Sequence, residues 1–338
     1  MALACGLDRL VGDPRWCPHP VVLMGWAINR LRGLAEGWAG DRPWALRLGG
    51  GLITLLLVGA SGLAGWLVER LALNQSYRPL GVLLLLLGLA SALAGRSLAL
   101  AVEGVLAALP SDAATGGEAL EPARQRLDWI VGRDTAGLKR GEILRALAET
   151  ASENAVDGLF TPLFWMLVGA WLWRTGWWGG PGPLALAWGF KAASTLDSML
   201  GYRRGRLAWL GTAGARLDDL LVWLPCRLVT LSLPLAAGVS ARRWPALVAR
   251  ALHDGRPDPS PNAGLSQAIY AQVVGVQLGG TNRYAGQLRS KPLLAAGGRP
   301  PAAGDVRRML HYSARLSWLW LAAAAIPAAW VFVTKPLS

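Results

Sequence analysis

The sequence predicts an all-α, polytopic integral membrane protein whose cytoplasmic helical and loop segments form the site. Three observations carry this. Of 338 residues, 53% are hydrophobic and only 16% charged, where soluble domains carry about 25% charged residues. Apolar runs near about 20 residues, enough for one helical crossing, recur along the chain. The 18 tryptophans favour the membrane–water boundary. Many lie near the ends of apolar runs, as Trp171, Trp173, Trp177 and Trp178 do.

The N-terminal stretch Leu7-Asp8-Arg-Leu-Val-Gly12-Asp13-Pro14 lacks the clean apolar centre of a cleavable signal peptide. Residues 48–68, 80–100, 159–178 and 317–334 are good candidate spans. Residues 183–200 and 220–239 are marginal, the first shorter and carrying Lys191, the second interrupted by Pro225 and Pro234. Small residues such as Gly49-Gly-Gly51 and Gly59-Ala-Ser-Gly62 suit close helix packing. No period of 20–50 residues marks a repeat. The chain therefore reads as one membrane domain, 1–338, with polar segments at 110–157, 201–219 and 240–316.

These polar segments are Arg-rich, as cytoplasmic loops are. Keeping all three on one face requires 48–68 with 80–100, and 159–178 with 183–200, to form hairpins. Residues 220–239 are then expected not to cross, but to break at Pro225 and Pro234 into a re-entrant or interfacial hairpin.

The net charge of +13 fits positive-inside loops and also a basic surface for phosphorylated or carboxylated substrates. Nucleic acid is an unsuitable partner, because no basic run with interleaved aromatics stands apart from the spans. Cys5, Cys17 and Cys226 show no metal-ligand or disulfide spacing, and His19, His253 and His311 are isolated. Walker A, GxGxxG, GxSxG and HExxH patterns do not occur.

Six stretches carry chemistry-bearing residues. Glu149, Glu153 and Asp157 fall at i, i+4 and i+8, one helical face. Three carboxylates there repel unless a cation sits among them, and an oxygen-rich site suits Mg²⁺; the alternative is a solvated helix end. Lys191, Thr195 and Ser198 share a face with Asp197 near it, either a functional intramembrane charge or a snorkelling lysine. Adjacent Asp218 and Asp219 cannot face the same way. One suits a metal or substrate while the other pairs with Arg216, unless both serve a helix start. His253–Gly264, with Ser260 and Asn262, reads as a structured loop in which Asn262 can cap the next helix; Gly279–Tyr284 reads as a further glycine turn. Arg133, in Ile130-Val-Gly-Arg-Asp-Thr135, either offers a planar fork for phosphate or serves as a capping or salt-bridge residue.

Taken together and in order, LDRLVGDP with HPV, IVGRDT, ETASENAVDGLFTPLFW, KAASTLDSMLGYR, ARLDDLLVWLPCRL, and SPNAG with VQLGGTNRY resemble the adenosylcobinamide-phosphate synthase family, over roughly 7–284. The family usually has Asn where Val222 stands, Glu where Gln267 stands, and His where Asp258 stands.

The resemblance implies an ATP-dependent amide ligase of cobalamin biosynthesis. It joins a propionate carboxylate of adenosylcobyric acid to aminopropanol phosphate or a related amino alcohol. ATP and Mg²⁺ are the expected cofactors, with the corrinoid a substrate. By motif membership, Glu153, Asp157, Lys191, Asp197 and Asp219 are catalytic candidates, with Asp197 or Asp219 taking the amine proton. Arg133, Asn154, Arg216, Arg227, Ser260 and Asn262 are candidates for substrate or phosphate, and Glu149, Glu153 and Asp157 for the metal. The implied setting is the cell membrane, active face cytoplasmic, with lipid and other late membrane enzymes of the pathway as neighbours. A membrane regulator of the β-lactamase-induction type shares part of the motif set but should lack much of the SPNAG and LDDLL chemistry. A transporter using Glu153, Lys191 and Asp197 would predict inverted repeats, and the sequence shows none.

Overall fold

A computed structural model describes residues 1–12, 19–110, 118–284 and 286–334, with side chains as far as 325. Asp13, Pro14 and Cys17 lie outside the described residues. In chain order the helices are α1 (Ala2–Leu10), α2 (Pro20–Ala39), α3 (Pro43–Leu73), α4 (Arg78–Ser91), α5 (Gly95–Ala107), α6 (Glu121–Asp128), α7 (Arg140–Ala155), α8 (Thr161–Arg174), α9 (Pro183–Leu200), α10 (Leu207–Leu210), α11 (Thr212–Ala236), α12 (Trp244–Gly255) and α13 (Ala263–Val274). An antiparallel hairpin, β1 (Leu278–Tyr284) and β2 (Gln287–Leu294), precedes α14 (Ala303–Thr334). Helices 43–73, 75–107, 140–174 and 212–236 are long and apolar enough to cross a membrane. The protein is an all-α polytopic membrane protein apart from this one hairpin.

The chain forms two compact units, Met1–Arg96 with Asp157–Val222, and Ser97–Val156 with Trp223–Ser338. In the first, α9 is the central helix, packed by α2, α3, α4 and α8. Its Leu184, Ala187, Phe190, Ala193 and Leu196 are buried, so the marginal run 183–200 is a core helix. Small residues let α3 reach it. A Cβ on Gly65 would lie 2.8 Å from the Ala185 backbone. Gly59 instead faces open space, so only part of the expected glycine packing occurs.

The start of α9 is held from a distance. Glu69 of α3 is 1% exposed and accepts the backbone N–H of Gly182 at 2.9 Å, Leu184 at 2.6 Å and Ala185 at 3.0 Å. A helix start leaves such amides without intrahelical partners, and a carboxylate is the favourable group to meet them.

Residues 220–239 do not form the expected broken hairpin. Residues 220–236 continue α11, a single helix containing both Pro225 and Pro234. A proline removes the N–H that would bond four residues back, which at Pro225 frees the Leu221 carbonyl. The Trp165 indole N–H donates to that carbonyl at 3.2 Å. The replacement donor removes one penalty that would break the helix there.

The span expected at 159–178 is also longer. α7 runs through a π-helical turn, Val156–Phe160, into α8. Its 35 residues rise about 50 Å, more than the about 30 Å of bilayer core. One end therefore stands outside the apolar layer, and 140–157 is helix rather than connecting segment.

In the second unit α7 packs against α13, α14 and β1, while α12 and β2 pack against α13. Ile143, Leu147, Ala151, Ile269, Tyr270, Val306 and Met309 are buried. Tyr270 Oη lies 2.5 Å from Ser313 Oγ, which answers the one polar atom of this large core ring. Gly279–Tyr284, expected as a turn, is strand β1. Its register pairs Thr281 with Ser290 and Asn282 with Arg289, after an irregularity between Leu278 and Gly280. Gly279 has φ +82 and approaches the other strand so closely that a Cβ would lie 1.9 Å from Pro292 O. Only glycine fits such a position.

Candidate functional site

The second unit gathers residues from motifs that are far apart in the chain. The α7 helix starts with Glu142 accepting the Lys139 N–H at 2.8 Å, half of a capping box. Its next turns present Glu149 and then Glu153. The loop carrying Arg133 is clipped on both sides. The Thr150 hydroxyl donates to Ile130 O at 2.8 Å, and the Asp134 N–H donates to Arg283 O of β1 at 2.9 Å. The Gly286 N–H returns a bond to Asp134 Oδ2 at 2.7 Å.

That clip delivers Arg133 to Glu149. The guanidinium donates to Glu149 Oε2 and, at 2.7 Å, to Asn282 Oδ1. Glu149 is 1% exposed. Its other oxygen accepts the Gly279 N–H at 2.8 Å and lies 3.6 Å from Arg145 Nη1. Arg145 also donates to Gly279 O, to Thr281 O at 3.1 Å and to Asn282 Oδ1 at 3.0 Å. A buried carboxylate needs such pairing and hydrogen bonding to stay ionised without a large penalty.

A second group begins with Glu153. It accepts from Gln267 Nε2 at 2.7 Å. Lys291 Nζ lies 3.5 Å from Asp258 Oδ2. Burial works against the Lys291 charge, but Glu153 and Asp258 outweigh it, so its pKa lies above the ordinary lysine value. Asp258 also accepts the Ser260 N–H at 3.0 Å. Two buried polar atoms of these groups, Gln267 Oε1 and Asn282 Nδ2, have no hydrogen-bond partner among the described residues. An unanswered acceptor and an unanswered donor beside paired charges are what a polar ligand would meet.

The expected metal trio is not built. Glu149 is engaged with Arg133, Arg145 and the Gly279 amide. The α-helical register stops at Ala155, and Asp157 lies in the π-helical turn. Among the described residues no group of three or more His, Cys, Asp or Glu converges to hold a metal. The residues present therefore do not fit a protein-bound Mg²⁺ at this trio.

Other sequence candidates sort as follows. Arg227 and Asn262 do meet, Nη1 to Oδ1 at 3.0 Å, with Arg227 also donating to Pro261 O at 3.2 Å and lying 4.2 Å over the Trp223 ring. Asn262 precedes α13 but its side chain does not cap it. The Ser260 hydroxyl does, accepting the Ala263 N–H at 3.3 Å. Asn154 donates to the Thr150 hydroxyl at 3.3 Å. Asp157, Lys191, Asp197, Arg216 and Asp219 belong to the first unit. The Thr195 and Ser198 hydroxyls donate to carbonyls one turn back, and Thr195 is buried while Ser198 is exposed. Arg216 makes none of the expected ion pairs with Asp218 or Asp219. Sequence reasoning missed Arg145 and Lys291, and it noted Asp258 and Gln267 only as departures. Asn282 sat unmarked inside the GGTNRY motif.

The family described as CobD/Cbib protein matches residues 1–313. The chain belongs to the CobD/CbiB family. It is 44% identical over 314 residues to the cobalamin biosynthesis protein CobD of Synechocystis sp., covering 93% of this chain and 86% of that one. The CobD of Geobacter metallireducens is 41% identical over 327 residues, 94% and 93% of the two chains. The cobalamin biosynthesis protein CbiB of Salmonella typhimurium is 37% identical over 324 residues, 94% and 92%. No solved structure matches the chain. The motifs that define the CobD/CbiB resemblance are the ones that supply Arg133, Glu149, Glu153, Asn262, Gly279 and Asn282.

Proposed function

We propose that this CobD/CbiB protein is an adenosylcobinamide-phosphate synthase. It forms an amide between a propionate carboxylate of adenosylcobyric acid and the amine of aminopropanol phosphate or a related amino alcohol. Family membership over nearly the whole chain supports the pathway. The observation that carries the site is the Arg133–Glu149–Asn282 network beside Glu153, Gln267, Lys291 and Asp258.

The chemistry asks for three things. A carboxylate oxygen must become a leaving group, which ATP achieves by phosphorylating it. The amine must then attack the acyl carbon and lose a proton as phosphate departs. Anionic reactants must be held close together. In this reading ATP arrives with its own Mg²⁺ as cosubstrate. Lys291, paired with Asp258, offsets reactant charge, and Glu153 accepts the amine proton. Glu149 with Arg133 and Arg145 fixes the β1 backbone and Asn282. Asn282 Nδ2 and Gln267 Oε1 then offer one donor and one acceptor to substrate. The setting is the cell membrane with this site on its cytoplasmic face, where ATP and corrinoid are available.

The test is growth of a strain lacking its own synthase, on medium that requires cobalamin and supplies cobyric acid. The chain restores growth under this reading. Failure to do so with good membrane expression, while cobinamide still supports growth, contradicts it.

A further inference from the structure

Within the first unit, α3 and α11 start at the same end. A Cβ on Gly50 would lie 1.9 Å from Leu210 O, and one on Gly214 would lie 3.7 Å from Thr54 Oγ1. Between them lies a cavity of about 390 Å³ lined by Arg47, Thr212, Ala213 and Arg216. Arg47 is set in place by the Trp209 ring, its guanidinium 4.4 Å from the ring centroid. Among the described residues, neither Arg47 nor Arg216 makes an ion pair or a side-chain hydrogen bond. Both arginines are exposed, and two guanidiniums lining one open cavity attract an anion.

The surroundings identify the kind of anion. Arg47 and Arg216 each stand one turn inside a helix apolar enough to cross a membrane. Trp38, Trp44 and Trp209 at this end are exposed, as are Leu48, Leu52 and Leu55 further along α3 and Leu220 on α11. Arg42 lies over Trp44, 5.8 Å from its centroid. Exposed Trp and Arg above exposed Leu is the pattern of a headgroup level over acyl chains. Basic pockets between spans hold anionic headgroups. We propose that this cavity binds the phosphate of an anionic phospholipid, with its acyl chains along the exposed leucines of α3 and α11. Neither Arg47 nor Arg216 has a role in the reaction proposed above, and the lipid proposal does not rest on that assignment.

The experiment uses the full chain, delipidated in detergent and titrated with phosphatidylglycerol, phosphatidylcholine or inorganic phosphate, with bound molecules counted by native mass spectrometry. Wild type is expected to retain phosphatidylglycerol in preference to phosphatidylcholine. The Arg47→Gln/Arg216→Gln double variant is expected to bind it about tenfold more weakly. Arg30→Gln, also an arginine over a tryptophan but outside the cavity, is expected to bind as wild type does. The single Arg216→Gln variant gives the same reading, with a smaller loss, should the double variant unfold. Equal retention by wild type and the Arg216→Gln variant overturns the proposal. So does an equal loss in Arg30→Gln, since general surface charge then suffices. Displacement of the lipid by millimolar inorganic phosphate also overturns it, because the cavity is then a site for free phosphate.

Discussion

Glu69 and Glu149 are each 1% exposed, each on a helix long and apolar enough to cross a membrane, yet they are answered in opposite ways. Glu69 meets three backbone amides of its own unit. Glu149 meets two arginines and one amide. Backbone amides are present at the start of any helix, so Glu69 joins two helices whatever their side chains are. The Glu149 arrangement requires Arg133, Arg145 and a glycine at 279 together. It also orders a loop and a hairpin next to unpartnered polar atoms. The first is scaffolding for α9, and the second frames the candidate site.

The largest expected effect comes from breaking the second arrangement. Arg133→Ala leaves the Glu149 charge buried with less compensation, at a cost of about 3–5 kcal/mol. Thermal unfolding in detergent should show it, and growth on cobyric acid should fail. Glu69→Ala leaves buried amides unanswered at the start of α9, at about 1–3 kcal/mol. Its unfolding temperature should fall while amide formation per folded molecule stays at the wild-type level. Trp165→Phe leaves the Leu221 carbonyl unanswered beside Pro225, at about 1 kcal/mol, measured the same way.

The smallest effect is a pH dependence. The Lys291 pKa is raised in the folded protein above the unfolded value of about 10.4. Its contribution is therefore fully present below about pH 10 and is lost as pH rises through the folded value. Unfolding temperatures of wild type and Lys291→Met should converge as pH rises through that alkaline window. A difference that persists unchanged there would remove Lys291 from the ion cluster.

What was legible in the sequence follows from the range of the forces involved. The spans of α3 and of α4 with α5 were readable, because length and hydropathy act locally. The continuity of α11 was not, since the donor that serves the Leu221 carbonyl comes from Trp165 on another helix. The helical face shared by Glu149 and Glu153 was visible in their spacing, but their charge partners were not. Arg145 lies in the same helix without any motif around it, and Lys291 lies in a strand, GlnLeuArgSerLysProLeuLeu, that shows no alternation. The hairpin itself was hidden because Gly279-Gly280 reads as a turn, and only the approach of Pro292 and Glu149 shows that it bends a strand. The expected carboxylate trio does not assemble, as the cations that meet Glu149 are the guanidiniums of Arg133 and Arg145.

The most direct measurement compares amide formation by Glu153→Gln and Glu69→Gln in lipid nanodiscs, from adenosylcobyric acid, aminopropanol phosphate and ATP, normalised to folded protein. The account predicts that Glu153→Gln loses about 100-fold in kcat with an unfolding temperature close to wild type. It predicts that Glu69→Gln keeps its turnover and loses stability. Wild-type turnover by Glu153→Gln, or loss of turnover by folded Glu69→Gln, would contradict it.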